Sequence, residues 1–311
     1  MNLQQLRIVR ETVRRQFNLT EVASALYTAQ SGVSKHIKDL EDELGVELFV
    51  RRGKRLLGLT EPGKELMPVV ERLLLDIQNV KRIGEQFAQQ DKGRLAIATT
   101  HTQARYALPP VVARFKAVFP KVGLELHQCG PREIVALLRE GQVDIGIATE
   151  ALATEDDLVS FPYYQWRHAL ITPVGHALAE RTPLTLAAIA DHPIITYHPG
   201  YTGRARIDAA FARAGLTPDV VMTALDADVI KTYVELGLGI GIIAAMAYHP
   251  VRDAGLRRLD ADDLFEINTT CVALRRGHYL RGYALRFIEY CSPELTEERI
   301  KEAVLPRSPI Q

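Results

Sequence analysis

Residues 29–63 read AQSGVSKHIKDLEDELGVELFVRRGKRLLGLTEPG. Val33, Ile37, Leu40 and Leu44 recur at spacings of three and four, the period of one buried helix face. Gln30, Ser31, Ser34, Lys35 and Lys38 fall elsewhere on that helix, and Thr28 stands where a cap is needed. Upstream, Asn18 can cap a shorter helix, EVASALY, with Glu21 at its third position in the capping-box arrangement. Leu3, Leu6, Val9 and Val13 trace a further helix that ends near Gln16. A tight turn between two short helices, the second opening on small polar residues, lets that helix enter a DNA major groove N-terminus first. Gln30, Ser31, Ser34, Lys35 and Lys38 are then the candidate DNA contacts.

Past this helix, Arg51, Arg52, Lys54 and Arg55 crowd around Gly53 between two apolar segments. A two-stranded wing fits, with Arg51 and Arg52 as phosphate contacts that position the protein without reading sequence. Thr60 can cap the next helix, with Pro62 in its first turn, where a missing N–H does no harm. Leu66, Val70, Leu73, Ile77, Val80 and Phe87 then follow one another along a helix of about 25 residues, roughly 40 Å long. Such a stripe is expected to pack on its own copy. The polar stretch QFAQQDKGR, residues 86–94, reads as a boundary, so the expected domains are 1–60, 61–92 and 93–311.

From Leu3 through AQSGVSKHIKDLEDELGVELFVRR to LTEPG, the order and spacing resemble the winged helix-turn-helix of LysR-type transcriptional regulators. The chain of fixed offsets carries the resemblance, which implies a DNA-binding regulator whose long helix dimerises.

From Arg94 onward, strand-like runs (RLAIATT, VGLELHQC, VDIGIATE, HALITPV, PIITYH, DVVMTAL, GIGIIA, TTCVALRR) alternate with helical stretches. The alternation predicts an α/β fold with mainly parallel sheets, in which ligands sit at the carboxyl ends of strands beside helix N-termini. Three polar loops stand at such places: TTHTQ (99–103), IATE (147–150) and YHPGYTGR (197–204). Together they suggest a cleft between two lobes. This half resembles the effector domain of the same family, which has the fold of type 2 periplasmic binding proteins. TTHTQARYALP, IATE and HPGYTGR are closest in look to the branch that controls cysteine biosynthesis, where the matching residues hold a small anion, sulfate in particular. Carried over by position, these are Thr100, Thr102, Gln103, Thr149 and Thr202. Sulfate carries no proton to donate, so hydroxyls, an amide and helix N-termini suffice to bind it. Whether Glu150 or His101 faces the cleft is open at this level.

Lys+Arg and Asp+Glu number 38 each, so DNA contact must be local and not spread over the whole surface. Apolar runs such as Ile240 to Ala247 fall short of the roughly 20 residues of a membrane helix, and the charged N-terminus lacks the core of a secretory signal, so a cytoplasmic protein is expected. Cys129, Cys271 and Cys291 lie far apart and read as reduced, mostly buried small residues. GLGIGI (237–242) imitates a dinucleotide fingerprint but runs from helix to strand, the reverse of the required order. The histidines show no H-x-x-x-H spacing, and no catalytic triad or phosphate loop can be assembled. No enzyme, metal or cofactor is expected. The expected partners are promoter DNA, a small anion or acetylserine-type effector, further copies of the chain as a dimer of dimers, and RNA polymerase. A regulator that answers to an unrelated small acid is the alternative; a solute-binding protein or enzyme on the same lobes would lack the winged segment.

Overall fold

The computed structural model describes residues 1–53, 55–88, 91–150 and 152–305. Lys54 of the expected wing tip, and Gln89 and Gln90 of the polar stretch, lie outside them. Two compact bodies are present, Met1–Gly84 and Glu85–Gln311.

The first body contains α1 (Leu3–Arg14), α2 (Leu19–Ala25), α3 (Gln30–Leu44), the hairpin β1 (Phe49–Arg52) with β2 (Arg55–Leu59), and α4 (Glu61–Ala88). Ile8, Val9, Val22, Val33, Ile37 and Leu40 close its core with Leu48 and Phe49. Asn18 caps α2 through its side-chain oxygen, as its position predicts. Glu21 answers the Asn18 amide at 2.7 Å and not the cap backbone. Thr28 does not cap α3: Ala29 takes the cap position, with no side-chain bond to the first turn. Leu44 is 40% exposed, and Glu41 is the last buried residue of α3 instead.

Helix α4 starts as its sequence predicts, with the Thr60 hydroxyl accepting from Gly63 N at 3.1 Å. Its apolar stripe divides. Leu66, Val70, Leu74 and Ile77 pack with Leu6 of α1, whereas Val69, Leu73, Val80, Ile83 and Phe87 are exposed. The two bodies part inside this helix because its last turn is tied to the second one. Gly282 N donates to Gln86 Oε1 at 2.9 Å, and the Arg281 guanidinium donates to the Glu85 carbonyl at 3.1 Å.

The second body runs β3 (Gly93–Thr99), α5 (Pro109–Val118), β4 (Val122–Gln128), α6 (Pro131–Glu140), β5 (Ile145–Ala148), β6 (Leu158–Trp166), β7 (His168–Pro173), α7 (Leu186–Ala190) and β8 (Ile194–Tyr197). It continues through α8 (Arg204–Arg213), β9 (Val220–Ala224), α9 (Ala227–Glu235), β10 (Ile240–Ala244), β11 (Leu256–Leu259), β12 (Asn268–Arg275), α10 (Gly282–Cys291) and α11 (Glu297–Val304). The strands form two five-stranded sheets, ordered β4-β3-β5-β12-β6 and β11-β7-β10-β8-β9, one per lobe. In each sheet one strand, β12 or β7, runs against the other four, giving two parallel and two antiparallel pairings, so the mainly parallel expectation holds for half of the pairings. Strand β6, not expected from its sequence, carries Pro162. It is an edge strand, and Pro162 faces Cys271 at a bulge, where a missing N–H costs no ladder bond. Only Arg167 separates β6 of the first lobe from β7 of the second, and β12 returns the chain to the first lobe. In the GLGIGI run, a Cβ on Gly239 would meet Pro193 O at 2.5 Å and one on Gly241 would meet Ile171 at 2.6 Å, so close packing explains these glycines. All three cysteines are free and half-buried.

Candidate functional site

Strand β3 runs apolar and buried to Ala98, then delivers Thr99 and Thr100 to the gap between the lobes. The chain turns there into one π-helical turn, Gln103–Ala107, with Gln103 N and Ala104 N both donating to Thr100 O at 3.1 Å. In this tight reversal Thr102 and Gln103 are 1% and 0% exposed. The Tyr164 hydroxyl of β6 donates to Gln103 Oε1. Burial pushes the phenol up to about 12, so it stays a donor and must take the carbonyl end of the amide. Gln103 Nε2 is thereby left pointing away, buried and without a protein partner.

Thr149 follows the end of β5, and its hydroxyl lies 3.2 Å from that of Thr270 on β12. Thr270 also accepts from Trp166 Nε1 at 3.1 Å. From the second lobe comes the loop before α8. Thr202 there has φ +43° and Gly203 φ +72°, left-handed conformations in consecutive residues that aim backbone N–H groups inward. His168 Nε2 lies 3.4 Å from Thr202 O, and Asn268 Nδ2 lies 3.3 Å from His168 Nδ1. Burial lowers the imidazole to about 4. The neutral ring therefore takes the amide on Nδ1 and donates from Nε2 to the loop. A Cβ on Gly203 would meet Asn268 Oδ1 at 2.4 Å and His168 at 2.8 Å, so only glycine fits.

Glu150 reaches across the gap to accept from Gly203 N. Desolvation lifts its carboxyl to about 7, against the pull of the N–H groups of Gly203 and Thr202, and its second oxygen is buried without a protein partner. Hydroxyls of Thr102 and Thr202, Nε2 of Gln103 and Nδ1 of His101 are likewise buried and unpartnered. Such orphaned groups are costly unless something completes them. The structure thus buries unpartnered donors in the first lobe (Thr102, Gln103) and in the second (Thr202), places Thr149 on the Thr270–Trp166 pair, and buries Thr100 at the strand end. Tyr164, Trp166, His168, Asn268 and Thr270 were not legible beforehand.

A second cross-lobe cluster borders the first. Tyr106 donates to Asp228 Oδ1 at 2.7 Å, Arg105 Nε lies 2.6 Å from Asp228 Oδ2, and Lys231 lies 3.1 Å from Asp228 and 3.2 Å from Asp253. His101, Asp226 and Asp228 are the grouping of potential metal donors among the described residues. Asp226 caps α9 through Val229 N at 2.9 Å, and Asp228 is saturated by Arg105, Tyr106 and Lys231. This donor set suits neutralised charge better than a cation.

On the helix-turn-helix, Gln30, Ser31, Lys35 and Lys38 of α3 are exposed and Ser34 is half-buried. Arg52 is exposed on β1. Arg51 is held by Glu41 at 2.6 Å, and the same carboxylate accepts from Leu48 N at 2.8 Å and Phe49 N at 3.3 Å. Arg51 thus fastens the wing to α3, a task the basic run did not reveal.

Residues 3–64 match the family described as bacterial regulatory helix-turn-helix protein, lysR family, and residues 88–296 match the LysR substrate binding domain. The chain is 60% identical to the HTH-type transcriptional regulator SsuR of Burkholderia cenocepacia over 96% of its length and 97% of the relative's. It is 52% identical to the regulator CysB of the same organism, over 98% and 97% of the two chains. Among solved structures, the cofactor-binding domain of the Cbl transcriptional regulator superposes with TM-score 0.67 at 51% identity, covering 68% of this chain and 93% of that one.

Proposed function

Since the chain belongs to the LysR family of bacterial transcriptional regulators, which are not enzymes, we propose that it controls genes of sulfur assimilation and cysteine biosynthesis through an anion bound between its effector lobes. The observation that carries this reading is the set of buried, unpartnered donors, Thr102 Oγ1, Gln103 Nε2 and Thr202 Oγ1, supplied from both lobes. An anion accepting from all three satisfies them at once and gains charge-assisted bonds. Thr100 and Thr149 complete the ring, the latter through the hydroxyl it shares with Thr270. The resemblance to SsuR and CysB supports a sulfur-pathway ligand, of the sulfate, thiosulfate or acetylserine type.

A ligand that touches both lobes stabilises one mutual arrangement of them, and can shift promoter binding only by that difference in affinity. Promoter DNA meets α3, whose uncapped N-terminal N–H groups suit a phosphate, while Gln30, Ser31, Ser34, Lys35 and Lys38 face the groove and Arg52 the backbone. The exposed stripe Leu73, Val80 and Phe87 joins two copies through α4, as part of a dimer of dimers in the cytoplasm, with RNA polymerase as a further partner.

Thermal-shift titration with sulfate, thiosulfate, phosphate and O- and N-acetylserine tests the ligand class. A sulfur-pathway ligand raises the melting midpoint of the full chain by mass action. No shift from any of them, with a shift from an unrelated organic acid, would leave the regulator in place and change its effector.

A further inference from the structure

Glu150 puts a carboxylate where an anion is to bind. Its Oε1 accepts from Gly203 N, beside the Thr202 hydroxyl, and its Oε2 is buried with no protein partner. As an ionised group it would repel a fully ionised ligand and offer it only acceptors. Carrying a proton on Oε2, it becomes a donor like its neighbours, while Oε1 still accepts from Gly203. We propose that the cleft binds a fully ionised anion together with one proton, taken up by Glu150, so that this residue sets both the charge the site accepts and the pH range in which it responds. The inference rests on the cleft being the anion site proposed above.

The surroundings of Glu150 favour such coupling. The first effect on the carboxyl is desolvation, which already lifts it to about 7. The backbone N–H groups of Gly203, Glu150 and Thr202 favour the ionised form, as does Arg206 on α8, which is shared with Glu266. Arg204 on the same helix is engaged by Asp208 and Tyr197 O. His168 on β7 is held neutral by burial and adds no positive charge. On β12, Asn268 and Thr270 are uncharged. His101, in the loop after β3, is the other titratable group with a buried unpartnered atom in the gap. The anion's charge pushes the carboxyl further up, and by linkage the proton strengthens anion binding to the same degree.

Inorganic sulfate is the probe, because it does not itself titrate between pH 6 and 9. Calorimetry on the full chain in buffers of different ionisation enthalpy counts the protons taken up. The expected result is about one proton per sulfate near pH 8.5 and close to none near pH 6, with affinity falling by about tenfold per pH unit on the alkaline side. Glu150→Gln, which imitates the protonated carboxyl, is expected to bind sulfate with an affinity flat in pH and no proton uptake. If the unaltered chain bound sulfate with flat affinity and no proton, the proposal would fall and the anion site would stand. The same holds if Glu150→Gln kept the slope and the proton, which would then belong to another group. Absence of sulfate binding at every pH would remove the anion site itself. The proton count on the unaltered chain decides the matter even if the variant folds poorly.

Discussion

Replacing Gly203 by alanine probes the loop that brings the second lobe to the ligand. Its φ of +72° costs an alanine about 1–2 kcal/mol. The new methyl would also stand 2.4 Å from Asn268 Oδ1, 2.8 Å from Asn268 Cγ and 2.8 Å from His168 Cε1. Both neighbours are fully buried, so neither can swing into solvent, and overpacking of this kind costs about 1–3 kcal/mol. Together the penalty is about 2–5 kcal/mol, or roughly 5–15 °C in the melting midpoint of a body this size. The loop relaxes by moving away from Asn268, which withdraws the Gly203 N–H and the Thr202 hydroxyl from the gap. Sulfate affinity measured by calorimetry should then fall by about tenfold or more. Affinity for promoter DNA without ligand, measured by gel shift, should not change, because the helix-turn-helix folds as a separate body. A Gly203→Ala chain that melts and binds sulfate like the parent would show that the loop is neither clamped by Asn268 and His168 nor part of the anion site.

Other outcomes can be checked alongside. Thr102→Ala deletes one hydroxyl donor and is expected to weaken sulfate binding by about 1.5–3 kcal/mol in calorimetry, leaving ligand-free DNA affinity alone. Gln30→Ala and Ser34→Ala should each narrow the gap between specific and random DNA by roughly 1–3 kcal/mol, whereas Arg52→Ala should weaken both alike and lower the salt slope by about one. Arg51→Ala should lower the melting point of the winged body as well, since it releases the buried Glu41 from its partner. Leu73→Asp with Val80→Asp places charges on the exposed stripe of α4, and a sizing column should show a smaller species with helicity retained; an unchanged size moves the protomer contact elsewhere. The folded His168 binds its proton less well than the unfolded chain does, so its contribution to stability is present above pH about 6.5 and lost as pH falls toward about 4. Glu150, shifted upward, acts with the opposite sign, so the test is the difference between parent and His168→Gln in melts from pH 7 to 4.5; equal slopes would refute the buried-imidazole reading.

Local periodicity and caps determined most of the elements, because their causes lie within a few residues. The spacing of Val33, Ile37 and Leu40 makes α3 one-sided whatever it meets. Asn18 and Thr60 start helices through bonds to N–H groups two or three residues away. The polar loops at the ends of β3 and β5 and before α8 stood out as candidates for a ligand site because strand ends in α/β folds lie beside helix N-termini with unpaired N–H groups. What tertiary structure decided came from partners far off in the chain. Tyr164 orients Gln103 from 61 residues away, and Thr270 meets Thr149 across 121. The Glu150 carboxylate turns toward Gly203, 53 residues on, and the titration of such a group depends on burial that no neighbour in sequence reveals. The basic run 51–55 did not show that Arg51 belongs to Glu41, nor did the heptad-like stripe show which half α1 would cover. Pro162 disguised β6 because a proline is tolerated in a strand only where a neighbour's carbonyl needs no donor. That condition belongs to the edge of an assembled sheet and not to the strand itself.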